Sequence, residues 1–171
     1  LIDGSDSSIL SNITTLKIRK DFTPTLASST KYSIYFRNAL YNPHSGHNAT
    51  AGGILESSGF KVSGDSTTIL YLDDDGQGNV RRYSFSGATR VYANTTQGTI
   101  DYDTGAIILN SLSVLSVENI RGAASSKIEL TVTPFSNDVV PVRDQILEID
   151  TANSSITVAA DTFVGGSADA G

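Results

Sequence analysis

Gly98-Thr99-Ile100-Asp101-Tyr102-Asp103-Thr104-Gly105-Ala106-Ile107-Ile108-Leu109 reads as strand, tight turn and returning strand. Ile100 and Tyr102 alternate with Thr99 and Asp101, the two-residue period of a strand with one wet face. Asp103-Thr104-Gly105 supplies turn chemistry: a short carboxylate that can bond the backbone, and a glycine free to take positive φ. Residues 106–109 are apolar on both faces, so the returning strand is expected to lie between two neighbours.

The same pattern recurs on both sides. Upstream, residues 13–20 open the ordered part, with Leu16 and Ile18 alternating with Lys17 and Arg19, and Pro24 breaks that strand because proline cannot serve an interior ladder. Residues 31–40 place Tyr32, Ile34 and Phe36 on one face and Ser33, Tyr35 and Arg37 on the other. Residues 59–63 and 67–72 are further strands. The second is expected to turn through an acidic loop, residues 73–79, into a strand over 80–85. A short strand at 90–92 then leads through a polar link, residues 94–97, to the hairpin quoted first. Downstream, residues 112–120 alternate unevenly and close at Arg121-Gly122. Residues 127–133 alternate cleanly, Ile128, Leu130 and Val132 against Glu129, Thr131 and Thr133, and Pro134 ends them. Residues 145–150 and 156–161 form a last hairpin across the turn at 151–155, although 144–148 also admits a helix.

The expected fold is therefore mainly β with little helix: an antiparallel β-sandwich or sheet-rich domain followed by a C-terminal β-hairpin. Residues 1–11 are a polar, flexible lead-in, 12–135 the antiparallel domain, 136–164 the hairpin unit and 165–171 a Gly/Ser/Ala linker-like tail. The whole reads as a piece of a longer polypeptide. At 171 residues and 18.0 kDa a single domain buries enough surface to form a core without staples. None is on hand, since cysteine is absent. The net charge of −6, with twelve scattered basic residues, argues against nucleic acid as a partner. No apolar run is long enough for a membrane-spanning helix, and no signal peptide is visible.

Several constellations invite chemistry, and each falls short on spacing. His44 and His47 share a loop, but zinc takes three or four ligands and no cysteine or nearby carboxylate completes the set. Counted from Asp73 as a calcium loop, the fifth position is Gln77, the sixth Gly78 and the twelfth Ser84, so the bidentate ligand is missing. Asp103-Thr104-Gly105 matches the aspartic-protease triplet, yet it stands where a turn is wanted and Ile107 follows Gly105-Ala106. Asp101 and Asp103, read as extended, would lie on one face about 7 Å apart, a spacing open to a glycosidase pair and to any polar strand edge. Both histidines share one loop, so no Ser/His/Asp triad forms, and no glycine-rich phosphate loop precedes a helix. The Asn-x-Ser/Thr triplets at Asn12, Asn48, Asn94 and Asn153 are what a Ser/Thr-rich chain yields by chance, and glycosylation is not read from them. No catalytic, cofactor-binding or metal residue is expected.

Four blocks in order, NALYNPH at 38–44, YLDDDGQGNVR at 71–81, GTIDYDTG at 98–105 and SNDVVPVRDQILEID at 136–150, resemble the C-terminal part of the baseplate wedge protein of T4-like contractile-tailed bacteriophages, above all its cyanophage versions. The resemblance spans most of the chain from residue 13 onward. It implies a non-enzymatic virion component of the tail baseplate, assembled in the host cytoplasm. Its partners would be itself, as a dimer or ring, and other wedge proteins, with no nucleic acid, membrane or small-molecule substrate. It assigns no contact residue. The alternative from composition is a carbohydrate- or surface-binding β-sandwich module of a fibre or adhesin.

Overall fold

In a computed structural model, which describes residues 16–47 and 53–136, the chain is mainly β and its named strands pair antiparallel; no helix occurs among the described residues. Seven strands form one sheet in the order β2 (Thr30–Tyr35), β8 (Ala106–Leu112), β7 (Thr89–Asp101), β6 (Asn79–Ser86), β5 (Asp65–Asp74), β4 (Phe60–Val62) and β9 (Val114–Val117). A second sheet runs β1 (Ile18–Phe22), β10 (Ile128–Val132), β3 (Glu56–Ser57). Only Ser113 separates β8 from β9, yet β8 pairs with β2 and β7 while β9 pairs with β4 at the other margin. One bent strand thus joins the two sides, and the large sheet is curled. Ser111, at φ +48°, marks the bend, and the outer edge of β9 is covered where Ala27 N–H donates to Val114 O at 2.7 Å.

The core lies on the inner side of this curl, closed by the small sheet. Phe60, Leu72, Val80, Ile107, Leu109, Leu112 and Val114 from the large sheet meet Ile128, Leu130 and Val132 of β10, all fully buried. Each such side chain contributes about 1.5–3 kcal/mol over its exposed state. The clean alternation of 127–133 has its reason here: its apolar face meets the core, while Glu129 pairs outward with Arg19 and Arg121.

The central hairpin forms where the sequence placed it, with Ile100 opposite Ile107 and Asp101 opposite Ala106. The doubly apolar β8 does lie between β2 and β7. Gly105, at φ +67°, closes the turn by donating N–H to Asp101 O at 2.9 Å and accepting from Phe36 N. Three expectations need correction. Residues 90–92 and the link 94–97 are one thirteen-residue strand, because polar side chains there satisfy backbone within the sheet: Asn94 accepts from Thr96 N–H, and Gln97 donates to Asn110 O at 2.6 Å. The strand expected over 31–40 stops at Tyr35, and Arg37 takes φ +56°. The run 112–120 divides at Ser113. The lead-in 1–11, the hairpin strands within 136–164 and the tail 165–171 lie outside the described residues.

Candidate interaction surface

Asp73 and Asp74, expected in an exposed loop, are instead the last two residues of β5, each 1% exposed. Successive strand residues point to opposite faces, so one sequence pair serves two networks. Asp74 faces inward. Its Oδ1 accepts from Ile54 N–H at 2.7 Å and Leu55 N–H at 2.8 Å; its Oδ2 accepts from Gly76 N–H at 3.1 Å and the Tyr102 hydroxyl at 2.6 Å. The carboxylate thereby ties three separate segments to the end of β5. Burial, reinforced by the bond to Asp74, pushes the Tyr102 hydroxyl far above its ordinary pKa, so it remains a donor.

Asp73 faces outward and is buried by its own partners. Its carboxylate accepts from Arg81 Nε at 2.9 Å, an Arg90 guanidinium nitrogen at 2.7 Å and the Tyr92 hydroxyl at 2.9 Å. Arg81 also donates to Asp74 O. The Arg81 guanidinium lies 4.3 Å from the Tyr92 ring centre and that of Arg90 4.6 Å from Tyr83, at cation–π distance. Tyr71, Tyr83, Phe85 and Tyr92 stack edge and tilt across three strands with centroids 5.3–5.8 Å apart. Burial opposes the charge on Arg90, but its bond to Asp73 prevails and raises its pKa; burial and the same carboxylate raise that of Tyr92. The register explains the cluster, since Asp73 pairs with Arg81, Tyr71 with Tyr83 and Tyr83 with Tyr92. Composition alone gave no sign of it. Centring the β5–β6 turn on residue 77 would have, because that centring puts 73 opposite 81.

The residues that invited chemistry fall elsewhere. Residues 75–78 form a hairpin loop in which Asp75 accepts from Gln77 N–H and Asn79 N–H. Asp101 and Asp103 do not share an extended face: Asp101 ends β7 and its carboxylate accepts from Asp103 N–H at 2.9 Å and Thr104 N–H at 3.2 Å, while exposed Asp103 lies in the turn itself. A carboxylate capping the adjacent turn cannot also pair with that turn's side chain across a substrate. His44 and His47 touch, Nε2 to Nδ1 at 3.1 Å, and no group of three or more metal-ligating side chains occurs among the described residues. Asn94 is half-buried within β7; Asn12, Asn48 and Asn153 lie outside the described residues.

Arg82 differs from its neighbour Arg81. It pairs with Leu72 in register and so shares the core-facing side of the sheet with Leu72 and Val80. Burial lowers its pKa, and its Nε is buried with no hydrogen-bond partner. Beside it Ser84 pairs with Val91, which is 50% exposed. Taken together, these features define a curled antiparallel β-module in which the carboxylates of Asp73, Asp74, Asp75 and Asp101 serve the fold and whose β6–β7 hairpin carries aromatic and arginine side chains. Compared with protein-family models, with curated proteins and with solved structures, the chain has no match.

Proposed function

We propose that the chain is a non-enzymatic structural module of a contractile phage tail, a fragment of a baseplate wedge subunit that associates with itself and with other wedge proteins in the virion. One observation carries this reading. Three of the four blocks on which the resemblance rests are distant in sequence but meet around Asp74: Leu40 N–H donates to Tyr102 O at 2.6 Å, Asn42 donates to Gly76 O at 3.3 Å, and Tyr102 bonds Asp74 itself. The likeness therefore resides in residues that hold segments together, as expected of a shared architecture and not of a shared reaction centre. Tyr, Phe and Arg gathered on one hairpin are also the side chains that dominate protein–protein contacts.

The aromatic cluster favours the second reading, a sugar-binding module of a fibre or adhesin, to the extent that sugars stack on aromatic faces. Here the Tyr92 and Tyr83 faces are already covered by the guanidinium groups of Arg81 and Arg90, which counts against it. The test is co-sedimentation of the chain with purified wedge proteins of a T4-like phage, run beside a glycan array. Complexes with wedge proteins and a silent array are expected. A strict monomer at high concentration that ignores every wedge protein, or clear sugar binding, would overturn the assignment.

A further inference from the structure

We propose that the free edge of β2 pairs antiparallel with β2 of a second copy of this chain, joining two seven-stranded sheets into one across a two-fold axis at Ser33. The inference rests on the assembly reading and names the surface through which the chain meets itself. Phe36 N–H donates to Gly105 O at 2.8 Å, in step with the pairing of Tyr35 with Ala106. Backbone groups alternate sides along a strand, so those of Phe36, Ile34 and Tyr32 turn to β8 while those of Ser33 and Tyr35 point away from it. Lys31 follows the same alternation, because the bulge beside it takes its extra residue from β8, where Leu109 to Leu112 faces Thr30 to Tyr32. Among the described residues no strand pairs with this outer side. It meets Lys20, whose ammonium group donates to Tyr35 O, an oxygen with a second lone pair to share.

Of the described sheet edges, β2 is the one left to pair. The outer edge of β9 is already met by Ala27, β3 has two residues, and β1 carries Arg19, Lys20 and Asp21 in the middle of its five. Charges discourage edge pairing. β2 holds a single charge, Lys31, and its outer face of Lys31, Ser33 and Tyr35 is exposed. A second copy fits because this edge matches itself. With the axis at Ser33, Ser33 faces Ser33, Lys31 faces Tyr35 and Tyr32 faces Ile34, and the outward amides of Lys31, Ser33 and Tyr35 all find carbonyls. The two Lys31 side chains then stand about 13 Å apart along the strands, from four residues of strand rise, beyond the roughly 8 Å screening length of physiological salt. The same salt screens the net charge of −6. Moving the axis to Lys31 would oppose two ammonium groups, and moving it to Ile34 would oppose Lys31 and Arg37. Charge thus selects the register as well as the edge.

The experiment is backbone amide hydrogen exchange of the full chain in dilute and in concentrated solution, with sedimentation beside it. Protection of Lys31, Ser33 and Tyr35 should rise with concentration in step with a dimer, while that of Tyr32 and Ile34, which bond to β8, stays level. Ser33→Pro removes the central N–H at a position where an edge strand tolerates proline, and should abolish the dimer. Tyr35→Lys, which sets ammonium groups face to face on both sides of the axis, should weaken it about threefold or more, and Tyr35→Glu, which sets a carboxylate against Lys31, should strengthen it by a similar factor. Amide spectra establish which variants are folded; should Ser33→Pro fail to fold, the two Tyr35 variants decide. Exchange that ignores concentration, a dimer that withstands Ser33→Pro, or equal affinities for the two Tyr35 variants overturns the proposal. Protection already complete in dilute solution would assign the edge to this same chain, and protection that comes only with added wedge proteins would assign it to them; either result overturns it too. Wedge proteins that co-sediment with Ser33→Pro as they do with the parent, beside exchange that never changes, would sink this inference while leaving the assembly reading in place.

Discussion

Asp74→Ala removes an acceptor that four donors share. The N–H groups of Ile54, Leu55 and Gly76 are buried, and Tyr102 is half-buried. A buried donor left without an acceptor costs about 1–3 kcal/mol, so three backbone donors place the loss near 4 kcal/mol after partial relaxation. Set against the 5–15 kcal/mol typical of a domain, that is a large fraction. With a urea slope of about 2 kcal/mol/M the unfolding midpoint should fall by about 2 M. The chain has seven tyrosines and no tryptophan, so the transition is followed by far-UV circular dichroism and tyrosine emission. Tyr102→Phe alone should cost about 1.5 kcal/mol and far less in the Asp74→Ala background, a coupling above the roughly 0.5 kcal/mol limit of additivity. The Tyr102 pKa is raised on folding, so its bond contributes fully below the unfolded value of 10.0 and is lost only as pH rises through the folded one. The coupling should thus be equal at pH 7 and pH 9. A midpoint shift under about 0.5 M, or additive costs, would refute the view that this carboxylate knots the segments together.

Four further outcomes are expected. Arg81→Gln leaves Asp73 short of a cation and should cost about 3–5 kcal/mol, whereas Arg82→Gln, which removes an uncompensated charge, should lie within about 1 kcal/mol of the parent or stabilise it; urea midpoints separate the two. Gly98→Ala adds a methyl group against Ile108 O of the paired strand and should cost about 2 kcal/mol or more, read in the same transition. Hydrogen bonds from Thr68 hold the Asp65 carboxyl well below its ordinary value of 3.8, and those from Thr104 lower that of Asp101; at Asp75 burial pulls upward, but bonds from Asn79 and Gln77 prevail. Folded values below unfolded ones mean that the unfolded chain binds protons first. Stability should therefore be complete above about pH 5 and decline as pH falls below 4, and Asp65→Asn with Asp101→Asn should flatten that decline in midpoints taken at pH 5 and pH 3. Finally, Asp103→Asn should leave both the midpoint and any hydrolase signal of the purified chain unchanged; a collapse of turnover would restore a catalytic reading of the Asp-Thr-Gly triplet.

How much of this was legible in the sequence depended on whether the signal was local. The turn at 102–105, the burial of β8 and the alternation of β10 follow from period and turn chemistry within a dozen residues, and all three were readable. Polar runs misled in both directions. Residues 94–97 looked like a link, but Asn94 and Gln97 close their hydrogen bonds inside the sheet. Asp73 and Asp74 looked like loop, although, Gly76 apart, their partners lie 7–28 residues away in sequence and cannot be paired without the register. The candidate pair of Asp101 and Asp103 failed for a related reason: a strand rise was assumed through a position where the chain already turns. The joining of the two sheet margins through Ser113 had no sequence signal beyond the uneven alternation around it.

The adjacent arginines show why register, more than composition, decides what this hairpin can do. A slip of one residue between β5 and β6 would exchange every face. Leu72 and Val80 would turn to water, and Asp73 would leave the guanidinium groups that bury it. The paired charges on the outer side and the Asp74 knot on the inner side each oppose that slip, so two buried carboxylates one residue apart fix the hairpin from both faces. With the register fixed, Arg81 is committed to the fold. Arg82 stands on the opposite side, facing the core with its Nε buried and without a hydrogen-bond partner.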